Sequence, residues 1–161
     1  NSRHLHEAAQ KYGYVIKFLP HPNLQNHYDL LESNDSVQFL GKEMQYCDIY
    51  AKSDLIITDY SSAVFDFAYL RKPLLYTQFA AEDFYSSNYT AAKGYFDCEC
   101  DGFGEVEHDL GSTVDRIIEY MENGCQLKEK YRQRIEKFFA FNDRNNCQRV
   151  FNKIVELQNS N

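Results

Sequence analysis

No apolar run among the 161 residues approaches the ~20 that a membrane-spanning helix needs. The chain opens at Asn1 with no apolar leader, so it reads as a piece of a longer protein and not as a secreted one. Positive charge is also scarce: 17 Lys and Arg stand against 24 Asp and Glu, a formal net charge of −7. A field of that sign repels nucleic acid and anionic lipid at long range, so no nucleic-acid partner is expected. Any phosphate bound here must be held by a local set of donors. The five cysteines, Cys47, Cys98, Cys100, Cys125 and Cys147, are odd in number and lack C-x-x-C spacing, which argues against a disulfide framework. Cys98-Glu99-Cys100 is the one close pair, and without histidine partners it reads as thiols, buried or half-buried, in a reducing cytoplasm; a metal site is the sharper alternative. Neither G-x-G-x-x-G, a Walker loop nor G-x-S-x-G occurs, which weakens dinucleotide and P-loop readings and removes the serine-hydrolase motif. No metal or cofactor is expected.

What is present is apolar and aromatic. Hydrophobic residues make up 43% of the chain, with 13 Tyr and 12 Phe, enough for one domain around one core. The pattern predicts a helix over 4–12 stopped by Gly13, then a buried strand over 14–19 ending at Pro20. Pro20-His21-Pro22-Asn23 forces a rigid turn. A short strand over 37–40, a helix over 44–52 and a strand over 54–58 follow. The next helix, 63–70, is apolar nearly all round and so should be deeply buried, and a strand over 74–76 comes after Lys72-Pro73. Alternation with short linkers implies a Rossmann-like α/β fold with parallel strands. Residues 79–111 read as irregular, acidic and aromatic-rich. The last third reads as three helices. Ser112 or Thr113 caps the first, whose face is Val114, Ile117, Ile118 and Met121; Leu127, Tyr131, Ile135 and Phe138 mark the second. Asn142-Asp143 caps the third, with Cys147, Val150, Phe151, Ile154 and Val155 facing inward.

Chemistry concentrates where the strand over 54–58 runs into Thr58-Asp59-Tyr60-Ser61-Ser62 and then a helix. Ligands of open parallel sheets sit beyond the carboxyl ends of the strands, where the following helix presents unpaired amides. Thr58, Ser61 and Ser62 add three hydroxyls, giving an anion site without a cationic side chain. The helix end alone contributes ~0.3–1 kcal/mol, or ~2 when partly buried, so other groups must supply the rest. Plain capping by Ser61 with a turn stabilised by Asp59 is the competing reading. His21, fixed between prolines at a strand end, can donate to a phosphate and stabilise a departing one; an ordinary exposed loop histidine is the alternative. Asp66, one turn beyond Ser62, can hydrogen-bond a ligand hydroxyl or form a structural salt bridge. A receiver-type signalling domain with Asp59 as phosphoacceptor is a distant alternative, since no acidic pair follows Leu19.

The string Ser53 to Ser62, followed by Phe65-Asp66-Phe67, closely resembles the signature of CDP-glycerol glycerophosphotransferases, enzymes of teichoic-acid synthesis. His21-Pro22, Lys72-Pro73, the Lys93-to-Asp97 stretch and Phe141-Asn142-Asp143 through Cys147 fall in the family's order, while Lys93 stands for an expected arginine and Glu105 for an expected proline. The resemblance implies a GT-B fold of which residues 1–161 form a single donor-nucleotide-binding domain, truncated at its N-terminal edge, with the acceptor half and the general base absent. His21 would contact donor phosphate, Thr58, Ser61 and Ser62 would cradle the pyrophosphate, and Asp66 would place the glycerol end. Glycerol phosphate would pass from CDP-glycerol to a polymer hydroxyl, releasing CMP; CDP-ribitol or a sugar nucleotide is the rival donor. The resemblance further implies a bacterial cytoplasmic enzyme at the inner face of the membrane, touching it only peripherally through its other parts.

Overall fold

The computed structural model describes residues 2–21, 24, 36–41, 44–79, 81–86 and 94–160. In chain order it contains α1 (Arg3–Tyr12), β1 (Ile16–Phe18), β2 (Val37–Phe39), α2 (Tyr46–Lys52), β3 (Ile56–Thr58) and α3 (Val64–Tyr69). β4 (Leu74–Thr77), α4 (Ala81–Ser86), β5 (Glu105–Glu107), α5 (Leu110–Glu122), α6 (Glu129–Phe138) and α7 (Asn146–Asn159) complete it. All the strand pairings described are parallel: β1 with β2, and separately β3-β4-β5 with β4 central. Parallel strands, flanking helices and a helical final third are the Rossmann-like class expected of a GT-B half.

Local chemistry explains most boundaries. Ser2 Oγ accepts from the Leu5 amide at 3.3 Å and opens α1, and Gly13 closes it at a left-handed φ of 76°. β4 is the centre of the core, and its side chains alternate between two covered faces. Leu74 and Tyr76 join Tyr50, Val64, Phe67, Ala68, Phe103 and Ile135 on one face. Leu75 joins Ala8, Ala9, Ile117 and Met121 on the other. Ile16 and Leu55 pack against that second cluster, which ties β1 to the start of β3 through side chains. Each large side chain so buried stabilises the fold by ~1.5–3 kcal/mol.

Lys72 has a structural assignment. Its ammonium donates to the Tyr50, Ala51 and Ser53 carbonyls at 2.8, 2.8 and 2.7 Å, satisfying the carboxyl end of α2. Lys72→Met removes all three bonds and strands those carbonyls. It should lower the unfolding free energy by about 2 kcal/mol, read as a shifted urea midpoint at constant slope. An unchanged midpoint would mean that water replaces the lysine at no cost. The motif tail is a joint as well: Asn142 Nδ2 donates to the Tyr69 carbonyl at 3.2 Å, and the Tyr69 hydroxyl donates to the Asp143 carbonyl at 2.7 Å.

Several expectations need correction. β1 is not buried; Val15, Phe18 and Phe39 are exposed, because β1 and β2 form a two-stranded sheet outside the three-stranded one. α3 is shorter than expected and buried on one face only, through Val64, Phe67 and Ala68, with Asp66 and Leu70 exposed. The 79–111 stretch contains α4 and β5. β5 escapes notice because its sequence is Glu-Val-Glu, yet both carboxylates are matched: Lys128 and the Tyr120 hydroxyl reach Glu105 at 2.6 Å, and Arg116 reaches Glu107 at 2.9 Å. Asp109, not Ser112 or Thr113, caps α5: its Oδ1 accepts from the Ser112 amide at 2.9 Å, and its backbone oxygen accepts from the Thr113 hydroxyl at 2.7 Å. α7 caps at Asn145 and buries none of its residues; Val150, Phe151, Ile154 and Val155 lie in solvent. No disulfide joins the cysteines; Cys125 is buried and Cys98 half-buried, but Cys47, Cys100 and Cys147 are exposed.

Candidate functional site

β3 delivers Thr58 to the carboxyl edge of the three-stranded sheet, half-buried opposite Tyr76. The Thr77 hydroxyl donates to the Thr58 carbonyl at 3.3 Å, pinning the strand end to β4. Beyond Thr58 the chain turns sharply. Asp59 Oδ1 accepts from the Tyr60 amide at 2.7 Å, and Ser61 Oγ accepts from the Ala63 amide at 3.2 Å. The N-cap of α3 is Ala63 with no side-chain cap bond, so Ser61 shapes the turn and does not close the helix. Both bonds are contacts within the turn, and they point the Asp59 carboxylate back at it. They do not use up the loop's donors. A serine hydroxyl that accepts one bond still has its proton to give. Among the described residues the Ser61 and Ser62 amides and the Ser62 hydroxyl have no hydrogen-bond partner, and both serines are exposed. Unsatisfied donors thus converge at the sheet edge where α3 begins. Because α3 has six residues, its dipole is weak, and the individual N–H and O–H groups carry the attraction for an anion.

The expected residues divide into two groups. Thr58, Ser61, Ser62 and Asp66 come from one strand–turn–helix unit and are held together by it. Asp66 is exposed and lines a groove of about 450 Å³ with Phe65, Tyr69, Phe138, Phe139, Phe141 and Asn146. His21 lies just past β1, on the other sheet; it is exposed, and its carbonyl accepts from the Leu24 amide at 2.8 Å. Pro22, Asn23 and Lys93 lie outside the described residues. Among the described residues no group of three or more His, Cys, Asp or Glu is placed to hold a metal ion. No described helix is long and apolar enough to cross a membrane.

Two features of this edge go beyond the sequence-based expectations. The Tyr60 ring stacks on Phe84 of α4 at 3.8 Å with 4° between the planes, and Tyr85 meets it edge-on. Burial, foremost, and the neighbouring Tyr85 and Asp59 raise the Tyr60 hydroxyl above its ordinary pKa. His108, just past β5, bridges the Gln78 carbonyl at 3.2 Å and Glu99 at 3.0 Å. The hydrogen bond to Glu99 and then the one to Gln78 raise its pKa, so it holds its proton to higher pH. Both depend on pairing across the fold that no local pattern announces.

Residues 1–156 match the family described as CDP-Glycerol:Poly(glycerophosphate) glycerophosphotransferase. The chain belongs to this family. Among relatives of this glycerophosphotransferase-family chain is the minor teichoic acid biosynthesis protein GgaB of Bacillus subtilis (strain 168), 39% identical over 160 residues, which are 99% of this chain and 17% of the relative. The teichoic acid poly(glycerol phosphate) polymerase of the same strain is 26% identical over 162 residues, covering 96% of this chain and 20% of that protein. Ribitol-phosphate polymerases and a ribitol-phosphate primase also occur among the relatives. This family member therefore spans about a fifth of the length of the two Bacillus subtilis proteins. The fold matches the solved wall teichoic acid polymerase TagF with a TM-score of 0.63 at 19% identity, over 98% of this chain and 38% of that one.

Proposed function

We propose that residues 1–161 are the donor-binding domain of a glycerophosphotransferase that takes CDP-glycerol, passes glycerol phosphate to a hydroxyl of a teichoic-acid-like polymer, and releases CMP. The observation that carries the reading is the set of exposed, unpartnered donors of Ser61 and Ser62 at the carboxyl edge of the sheet, beside Thr58. In this reading those groups hold the diphosphate. His21 donates to it from the β1 side and stabilises the departing phosphate. Asp66 orients the alditol hydroxyls. The acceptor polymer and the base that activates its hydroxyl belong to other parts of the enzyme, which works at the cytoplasmic face of the membrane and touches it peripherally. The ribitol-phosphate enzymes among the relatives favour CDP-ribitol as the second reading.

A ligand panel decides between them. CDP-glycerol should raise the unfolding temperature, CDP should raise it less, and UDP or GDP should leave it in place. At a ligand concentration of 100 Kd the gain is ~2.7 kcal/mol. A larger shift with CDP-ribitol would transfer the reading to that donor, and equal shifts with all diphosphates would remove the cytidine assignment.

A further inference from the structure

The hydroxyl-bearing turn is held by more than its own short contacts. The Asp59–Tyr60 and Ser61–Ala63 bonds shape the turn but reach no farther than two residues, so they anchor it to nothing else. The Thr77–Thr58 bond fixes only the strand end. The Tyr60 ring makes the longer tether: it lies parallel to Phe84 at 3.8 Å, Tyr85 closes on it edge-on at 5.9 Å and 83°, and Phe84 and Tyr85 meet each other at 5.2 Å and 87°. The edge-to-face contacts of Tyr85 are a favoured aromatic geometry, and the parallel Tyr60–Phe84 pair is in close face contact. The Tyr60 hydroxyl is buried without a hydrogen-bond partner among the described residues, so the ring and not the hydroxyl supplies the hold.

We infer that the stack of Tyr60 on Phe84 is a latch by which α4 holds the Thr58–Ser62 turn in its phosphate-gripping form, which makes Tyr60 a positioning residue for the donor. The inference rests on Ser61 and Ser62 being the groups that hold the diphosphate. A short turn leading into a six-residue helix loses conformational freedom when it closes on a ligand. Fixing it beforehand removes that loss from the binding step. The latch thus acts on donor affinity and leaves the acceptor side alone.

The test uses the full-length protein with CDP-glycerol as donor. Tyr60→Ala should raise the donor KM about threefold to tenfold, with kcat at saturating donor and the acceptor KM unchanged. Tyr60→Phe should restore the donor KM. Phe84→Ala should reproduce the defect, and the double variant should be no worse than either single one, as expected when both changes break one contact. If Tyr60→Ala fails to fold, Tyr60→Leu takes its place, since leucine keeps apolar bulk but cannot stack. An unchanged donor KM in the alanine or leucine variant, a Tyr60→Phe variant as impaired as alanine, or fully additive losses would overturn the latch. Ser61→Ala with Ser62→Ala separates the two readings. If that variant binds donor normally, the phosphate site itself is wrong; if it loses donor while Tyr60→Ala keeps it, only the latch falls.

Discussion

Gly104→Ala should lower the unfolding free energy by about 3 kcal/mol or more, a larger loss than that expected of Lys72→Met. A Cβ at position 104 would stand 1.8 Å from the Leu74 carbonyl oxygen and 2.7 Å from its carbon. Those atoms belong to β4, the central strand, paired on both sides and buried from Leu74 to Tyr76, so neither backbone can retreat without breaking a ladder. Gly102 is in the same position against the Cys98 carbonyl, at 2.0 Å. A methyl group at Gly94 would have nothing within 4 Å among the described residues, so Gly94→Ala serves as the matched control and is expected to be neutral. Urea unfolding of the three alanine variants reads the result directly. A wild-type midpoint for Gly104→Ala would mean that the segment entering β5 does not lie against β4.

Ser61→Ala combined with Ser62→Ala should abolish the protection that CDP-glycerol gives against thermal unfolding. Each hydroxyl bonded to an anionic phosphate contributes ~1.5–3 kcal/mol, so losing two weakens binding by at least about a hundredfold. The protein without ligand should change far less. Both side chains are exposed, and the one bond lost, from the Ala63 amide to Ser61, is a local turn contact worth about 1 kcal/mol. That difference between liganded and unliganded effects distinguishes a binding role from a turn-shaping one. Equal protection of mutant and wild type would leave the turn contact of Ser61 as the sole job of these serines.

The parts of the fold that could be read from the sequence are those whose cause is local. The apolar run through Ile56 and Ile57, the turn residues after it and the start of α3 all sit within one short segment, and so do the Gly13 stop and the apolar stripe of α5. β5 was invisible because its strand character comes from elsewhere: Glu105 and Glu107 look solvated until Lys128, Tyr120 and Arg116 arrive from the later helical third. The same holds for the α5 cap. Ser112 and Thr113 are good capping residues, but both give their hydroxyl protons to Asp109, which takes the amide itself. α7 shows the opposite error: a strong apolar stripe implies that something covers it, not that this domain does. At the candidate site, Thr58, Ser61 and Ser62 were legible because strand, turn and helix follow one another directly. Tyr60 was not, since its partner Phe84 belongs to a helix reached only after β4.

The place of β4 has a consequence for biosynthesis. Its neighbour β5 pairs Glu105 with Leu75, so residues 76–104 must leave the ribosome before that edge of the strand can be closed. Until then Leu74, Leu75 and Tyr76, which the finished protein hides completely, border an open row of amides and carbonyls. A nascent chain halted there carries the stickiest part of the molecule on its outside, and late contacts of this kind form slowly. Synthesis of this segment should therefore lean on chaperones during that interval.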